Sequence, residues 1–307
     1  MQPRSTAELV QRSAERPAGV SSGVPAGAGI GVAMMVGSAL SNQIGAAVGA
    51  LAFPVIGAVG VVAVRQWVAG ALLVAVTRPR PWRLTAAQWR PVLLLAVVFA
   101  TMNLALYSAV DRIGLGLAVT LEFLGPLAVA LAASRRRLDL LCASAAAVGV
   151  VVLSRPQPST DYAGIALGVL AAGCWAAYIL VNRELGARVP GGTGPATAAG
   201  LSALVFLPVG ITVLVHHPPS PATAACAVTA GVLASAVPLL VDLMALRRVP
   251  TSAYGVFMSI NPVLAAVVGW GVLHQALPWD AWLGIAAIVG ANLVSQLLAR
   301  RGAARLT

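Results

Sequence analysis

The chain has 307 residues, 59% of them hydrophobic and only 9% charged, with a mean hydropathy of +0.89. Soluble domains carry roughly 25% charged residues, so this composition excludes an ordinary soluble protein and indicates a membrane one. A net charge of +11 does not by itself indicate a nucleic-acid binder, because the basic residues lie in short clusters between apolar runs.

In chain order, residues 1–25 are polar, with Pro17, Gly19, Ser21, Ser22 and Gly23, and read as a disordered cytoplasmic tail without the basic-then-apolar pattern of a signal peptide. Ten apolar segments follow, near residues 28–50, 55–77, 91–110, 114–134, 139–154, 162–181, 196–215, 223–246, 253–273 and 280–299. Most approach the ~20 residues that cross a bilayer as a helix. Backbone groups in lipid must be paired within the segment, so helices are the expected state and the fold class is an all-α membrane protein.

The links between segments are too short for a soluble domain. With the N-terminus inside, 17 arginines fall on the cytoplasmic side and 2, Arg112 and Arg155, on the outer side, while Arg65 lies within a span. That asymmetry predicts a cytoplasmic location for both termini. All twenty basic residues are Arg, which reflects codon bias and not function. Ten spans divide into two sets of five that cross in opposite senses, the inverted-repeat plan of many carriers around a central cavity. The expected boundaries are 26–154 for the first repeat and 155–300 for the second, with a short tail at 301–307. The motif Arg112-Ile-Gly echoes Arg248-Val-Pro, and Gly125-Pro126 and Asn261-Pro262 share the same offset of 136 residues.

Three ionisable groups fall inside predicted spans: Arg65, Glu122 and Asp242. Charge at bilayer depth is costly and marks function or a specific partner. Arg65 is eight residues past Gly57 and Glu122 seven past Leu115, which places both ~10–12 Å below the outer face at 1.5 Å per residue. Equal depth and opposite sign make them a candidate pair, read either as a gate that opens for a proton or substrate or as a static buried pair. Pro126, just after Glu122, removes a backbone donor and Gly125 gives the chain room to bend. Asp242 precedes Arg247 and Arg248 and reads first as a helix-end charge, with a cytoplasmic gate as the second reading. Among the uncharged polar residues Asn42, Gln43, Gln66, Asn103 and Asn261, we expect Asn42, Asn103 and Asn261 to line a cavity. Trp175, Tyr178, Tyr107, Tyr254 and Trp270 are all candidate cavity walls; aromatics near the interfaces are more often anchors, so Trp175 and Tyr178 are the leading candidates.

His216-His217 sits in a predicted outer loop without metal-ligand spacing, and Cys142, Cys174 and Cys226 read as small apolar residues. The chain contains no phosphate-binding Gly-rich loop, no Gly-x-Ser-x-Gly and no His-Glu-x-x-His, so neither a cofactor, a metal nor an enzymatic activity is expected.

Four stretches resemble a known family: Phe53-Pro-Val-Ile-Gly57, Ala118-Val-Thr-Leu-Glu-Phe-Leu-Gly-Pro-Leu-Ala-Val-Ala-Leu131, Gly173-Cys-Trp-Ala-Ala-Tyr-Ile-Leu180 and Met258-Ser-Ile-Asn-Pro-Val-Leu-Ala-Ala266. From about residue 40 to 299 the chain is similar to the EamA-type drug/metabolite transporters, within them the bacterial exporters of threonine and homoserine. The resemblance implies ten helices in two inverted repeats, an inner-membrane location, and export of small metabolites, amino acids first, coupled to protons. By position it assigns Arg65, Glu122, Trp175 and Tyr178 to the transport pathway. The chain departs from the family at Asn261, where the pattern has Glu, at His274-Gln275, where it has Gly-Glu, and at Asp242, where a Glu is typical. The partners it implies are a small-molecule substrate and the bilayer, with a monomer or homodimer as the assembly and no nucleic acid. Two other readings stay open: efflux of a drug or natural product by the same fold, and a membrane protein that does not transport.

Overall fold

The structure is a computed structural model that describes residues 28–132, 161–189, 192–238, 261–275 and parts of 278–294. The predicted fifth span, Asp242 and both expected tails lie outside the described residues. Every regular element among the described residues is helical. Four helices are long and apolar enough to cross a membrane: α2 (Phe53–Thr77), α3 (Ala86–Ile113), α6 (Tyr162–Arg188) and α7 (Thr193–His216). The others are α1 (Ala28–Ala50), α4 (Leu115–Glu122), α5 (Leu124–Ala132), α8 (Pro221–Gly231) and α9 (Asn261–Leu273). Large apolar side chains such as Leu93, Val97, Leu204, Val205 and Val215 are exposed on the outside of the bundle, the pattern of a lipid-facing surface.

Two prolines set the irregular points that matter. Pro126 lacks the N–H that would bond the carbonyl of Glu122, and the predicted fourth span accordingly breaks at Phe123 into α4 and α5. Gly125 stands on the neighbouring α6 so closely that an added Cβ would collide with the Ala172 carbonyl.

Pro238 acts similarly on α8. After Gly231 the helix widens into a π segment, Val232–Ala236, whose last bond runs from the Val237 N–H to the Val232 carbonyl. The next π bond to Leu233 and the α bond to Ala234 would both need an N–H from Pro238, which has none. Side chains take these carbonyls instead: the Ser41 hydroxyl donates to Leu233 O at 2.8 Å and Arg65 donates to Ala234 O at 3.1 Å. Gly45 permits this closeness, since an added Cβ would lie 2.6 Å from the Ala234 backbone nitrogen.

The most extensive packing joins α3 to α6 and α2 to α7. α9 packs on α1 and α4, α8 on α1 and α2, α6 on α4 and α5, and α7 also on α3. The central core gathers Val61 and Val62 of α2, Tyr107 and Ala109 of α3, Leu115 and Ala118 of α4, and Ala265 of α9.

Candidate functional site

Glu122 is the last residue of α4, beside the Pro126 break, and is buried at 8% exposure. It faces a cavity of about 200 Å³ among α1, α2, α3, α4, α6 and α9, with Pro238 also on its wall. Arg65 of α2, Asn42 and Gln43 of α1, Tyr107 of α3, Trp175 of α6 and Asn261 of α9 line the same space. The structure therefore brings together five of the residues singled out as site candidates: Glu122, Arg65, Trp175, Asn42 and Asn261.

The direct Arg65–Glu122 ion pair expected from matched depth is not formed: among the described residues no salt bridge within 4.0 Å joins them. Arg65 Nε donates to Ser235 Oγ at 3.2 Å, a terminal nitrogen donates to Ala234 O, and the guanidinium lies 5.0 Å from the Tyr107 ring centroid. The physical reason is Pro238, which leaves the Ala234 carbonyl in need of a donor within reach of Arg65. The two charges still act on each other through space across the cavity.

Asn103 corrects a second expectation. It is buried, but its side chain donates to the Phe99 carbonyl one turn back at 2.8 Å and lines neither this cavity nor the one beside it. A self-bonded amide on one helix satisfies its polar group without a cavity. Tyr178 lies outside the central cavity too, on the wall of a neighbouring one that also contains Arg65. Gln43 Nε2 donates to Asn261 Oδ1 at 3.0 Å, so an amide pair joins α1 to α9 where the resemblance leads one to expect an acid. Trp175 packs edge-on against Phe123 at the helix break, with centroids 4.7 Å apart and planes at 86°.

The sequence left Tyr107 between a cavity wall and an interface anchor, with the anchor the commoner case. The structure makes it a wall of the cavity, 1% exposed, with a hydroxyl that has no hydrogen-bond partner among the described residues. Ser235 and Pro238 were missed as well; the signal available was Pro238, four residues after Ala234, which predicts a freed carbonyl. Outside the cavity, Gln275 Oε1 accepts the Leu115 N–H at 2.9 Å and so caps α4 from the end of α9.

The residues from 162 to 295 match the model of the EamA-like transporter family. The chain is 36% identical over 259 residues to the threonine/homoserine exporter RhtA of Escherichia coli (strain K12), an alignment covering 81% of this chain and 85% of the relative. The chain belongs to the EamA-like transporter family. The RhtA protein of Salmonella typhimurium (strain LT2) matches at the same identity and coverage. A solved crystal structure aligns over 88% of this chain and 98% of its own with a TM-score of 0.59 at 19% identity, a likeness of fold alone. Membership makes this a membrane transporter and not an enzyme, as the sequence led us to expect.

Proposed function

We propose that the protein exports small amino acids, threonine and homoserine foremost, from a bacterial cytoplasm across the inner membrane. The observation that carries this reading is that one arginine and one carboxyl group line a single small cavity. A zwitterion presents a carboxylate and an ammonium at fixed separation. Arg65 suits the first, by forked charge-assisted bonds, and Glu122 the second. Asn42, Gln43 and the Tyr107 hydroxyl are then at hand for a side-chain hydroxyl such as that of threonine or homoserine.

We assign Glu122 to proton coupling, because it is the described acid within the cavity and α4 breaks immediately after it. Substrate that draws Arg65 away changes the electrostatic field at Glu122, so binding and protonation are linked. We further propose ten spans in two inverted repeats, with alternating access around this cavity.

Packing supports that architecture. If α1 to α4 are equivalent to α6 to α9, the α3–α6 contact becomes α8–α1, α1–α9 becomes α6–α4, and α2–α8 becomes α7–α3; each of these pairs packs. The α2–α7 and α4–α9 pairs map onto themselves. Gln66 Nε2 donates to Ser202 Oγ at 2.7 Å, and these residues are 136 apart, the offset that separates the two Pro motifs. Residues equivalent under a two-fold touch each other only on its axis.

Uptake of labelled threonine and homoserine into everted membrane vesicles tests the reading. We expect proton-gradient-dependent accumulation with the native protein, lost with Glu122→Gln at equal protein level. Accumulation equal to that of vesicles lacking the protein, for both amino acids, would overturn it. Uptake of drugs instead would transfer the reading to efflux.

A further inference from the structure

Arg65 lines two cavities, not one. The second, of about 260 Å³, has Leu73, Leu95, Phe99, Tyr178 and Ala198 on its walls. Its place follows from chain direction. Leu73 lies beyond Arg65 towards the C-terminal end of α2, Leu95 and Phe99 occupy the first half of α3, and Ala198 the first half of α7. The central cavity takes the opposite ends, with Tyr107 and Val110 late in α3 and Leu115 at the start of α4. The two spaces therefore stack along the bundle with Arg65 between them. Its bonds to Ala234 O and Ser235 Oγ form part of the partition, and both acceptors face the second cavity.

The chemistry of the second cavity differs from that of the first. Arg65 is the sole charged residue among its described walls. Phe99 and Tyr178 stand together with ring centroids 6.3 Å apart. One guanidinium in an otherwise apolar and aromatic space fits a carboxylate with an apolar tail.

We propose that this second cavity is an entry subsite for small carboxylates with apolar or aromatic side chains, and that the incoming carboxylate displaces Ala234 O and Ser235 Oγ from Arg65, opening the partition to the central cavity. The displaced acceptors are neutral and the newcomer is charged, so the exchange favours the carboxylate. Pro238 offers the Ala234 carbonyl no α-helical donor, so the carbonyl is left open to cavity water. The proposal rests on the transport reading for the direction of passage, but the binding it requires is independent of flux. Failure of vesicle uptake with intact binding would therefore sink the exporter reading and leave this one standing.

The test is calorimetric titration of the purified full chain in detergent with 3-phenylpropionate, and with phenethylamine as the same tail without the carboxylate. We expect the carboxylate to bind at least ~10-fold more tightly than the amine, and Arg65→Gln to weaken it by at least ~10-fold, as the loss of charge-assisted bonds implies. Leu73→Trp, which fills the second cavity, should abolish binding, with Leu73→Phe as the milder variant if the first does not fold. Ser235→Ala removes a competing acceptor and should tighten binding by about 5-fold, whereas a merely structural hydroxyl would leave it unchanged or weaken it. Binding that survives both Leu73 variants in folded protein, or that Ser235→Ala fails to strengthen, would overturn the proposal.

Discussion

Arg65 holds three structural contacts, to Ala234 O, Ser235 Oγ and the Tyr107 ring, while Glu122 makes no salt bridge among the described residues. The two members of the site therefore differ in what they contribute to the fold. Hydrogen bonds from charged groups contribute about 1.5–3 kcal/mol each, so Arg65→Gln should lower stability by about 2–4 kcal/mol. Glu122→Gln exchanges a carboxyl for an amide of the same shape and should change stability by less than about 1 kcal/mol while still abolishing transport. Thermal unfolding in detergent, read beside vesicle uptake, checks both; equal destabilisation by the two variants would argue against this division.

A different carboxylate works at the bundle's edge. Asp161 precedes α6 and accepts the Gly164 N–H at 2.8 Å, with Arg112 at 3.3 Å. The Gly164 N–H holds its carboxyl below the usual range, against a partial desolvation that pushes it up and with help from Arg112. Its folded pKa thus lies below its unfolded one, so the stabilisation is present above about pH 4 and fades as pH falls through the folded value. The gap in thermal midpoint between native protein and Asp161→Ala should be widest near neutral pH and shrink on acidification.

At the scale of elements, the two prolines do similar work from different helices. Pro126 ends α4 beside Glu122, and Pro238 frees the carbonyl that anchors Arg65. Each places a polar group of the site at an interrupted helix, where irregular backbone is tolerated because it borders a cavity. The interruption in α4–α5 also depends on a close approach. An added Cβ at Gly125 meets the Ala172 backbone, whereas one at Gly173, the next residue on the partner helix, meets nothing within 4 Å. Gly125→Ala should cost about 1–3 kcal/mol, because the Ala172 carbonyl is backbone and cannot swing aside, and Gly173→Ala should be neutral or slightly stabilising. Unfolding midpoints of the two variants decide it; matching values would mean that α5 and α6 separate at little cost.

For the whole molecule, the proposed two-fold accounts for the pairwise packing, for the Gln66–Ser202 bond and for the shared offset of the Pro motifs. Its orientation is a separate matter, set by the arginines gathered in the loops of one side. Cysteines introduced at Arg80 and at Ser220, in a cysteine-free background, should differ in labelling by an impermeant thiol reagent in intact cells. Position 220 should react and position 80 should not. Labelling of position 80 alone would invert the orientation.

Membership of the membrane class, the helical state and most helix positions followed from the sequence by itself, because hydrocarbon permits no other way to pair the backbone of long apolar runs. Glu122 was legible for a related reason: an acid in such a run is costly and marks either a function or a specific partner, and Pro126 nearby is a local signal of a break. The partner of Arg65 was not legible. Matched depth along two helices fixes height but not rotation, and only packing decides which side chains face each other. Nor did depth show that α8 would offer a freed carbonyl nearer to Arg65 than Glu122 is. Asn103 failed similarly, since a helical amide chooses between its own backbone and a cavity according to the face it occupies. Tyr107 could be a cavity wall or an interface anchor by composition, and the tertiary structure turned it inward against Arg65. Local chemistry determined which residues are unusual in this chain, and the helix packing determined which of them meet.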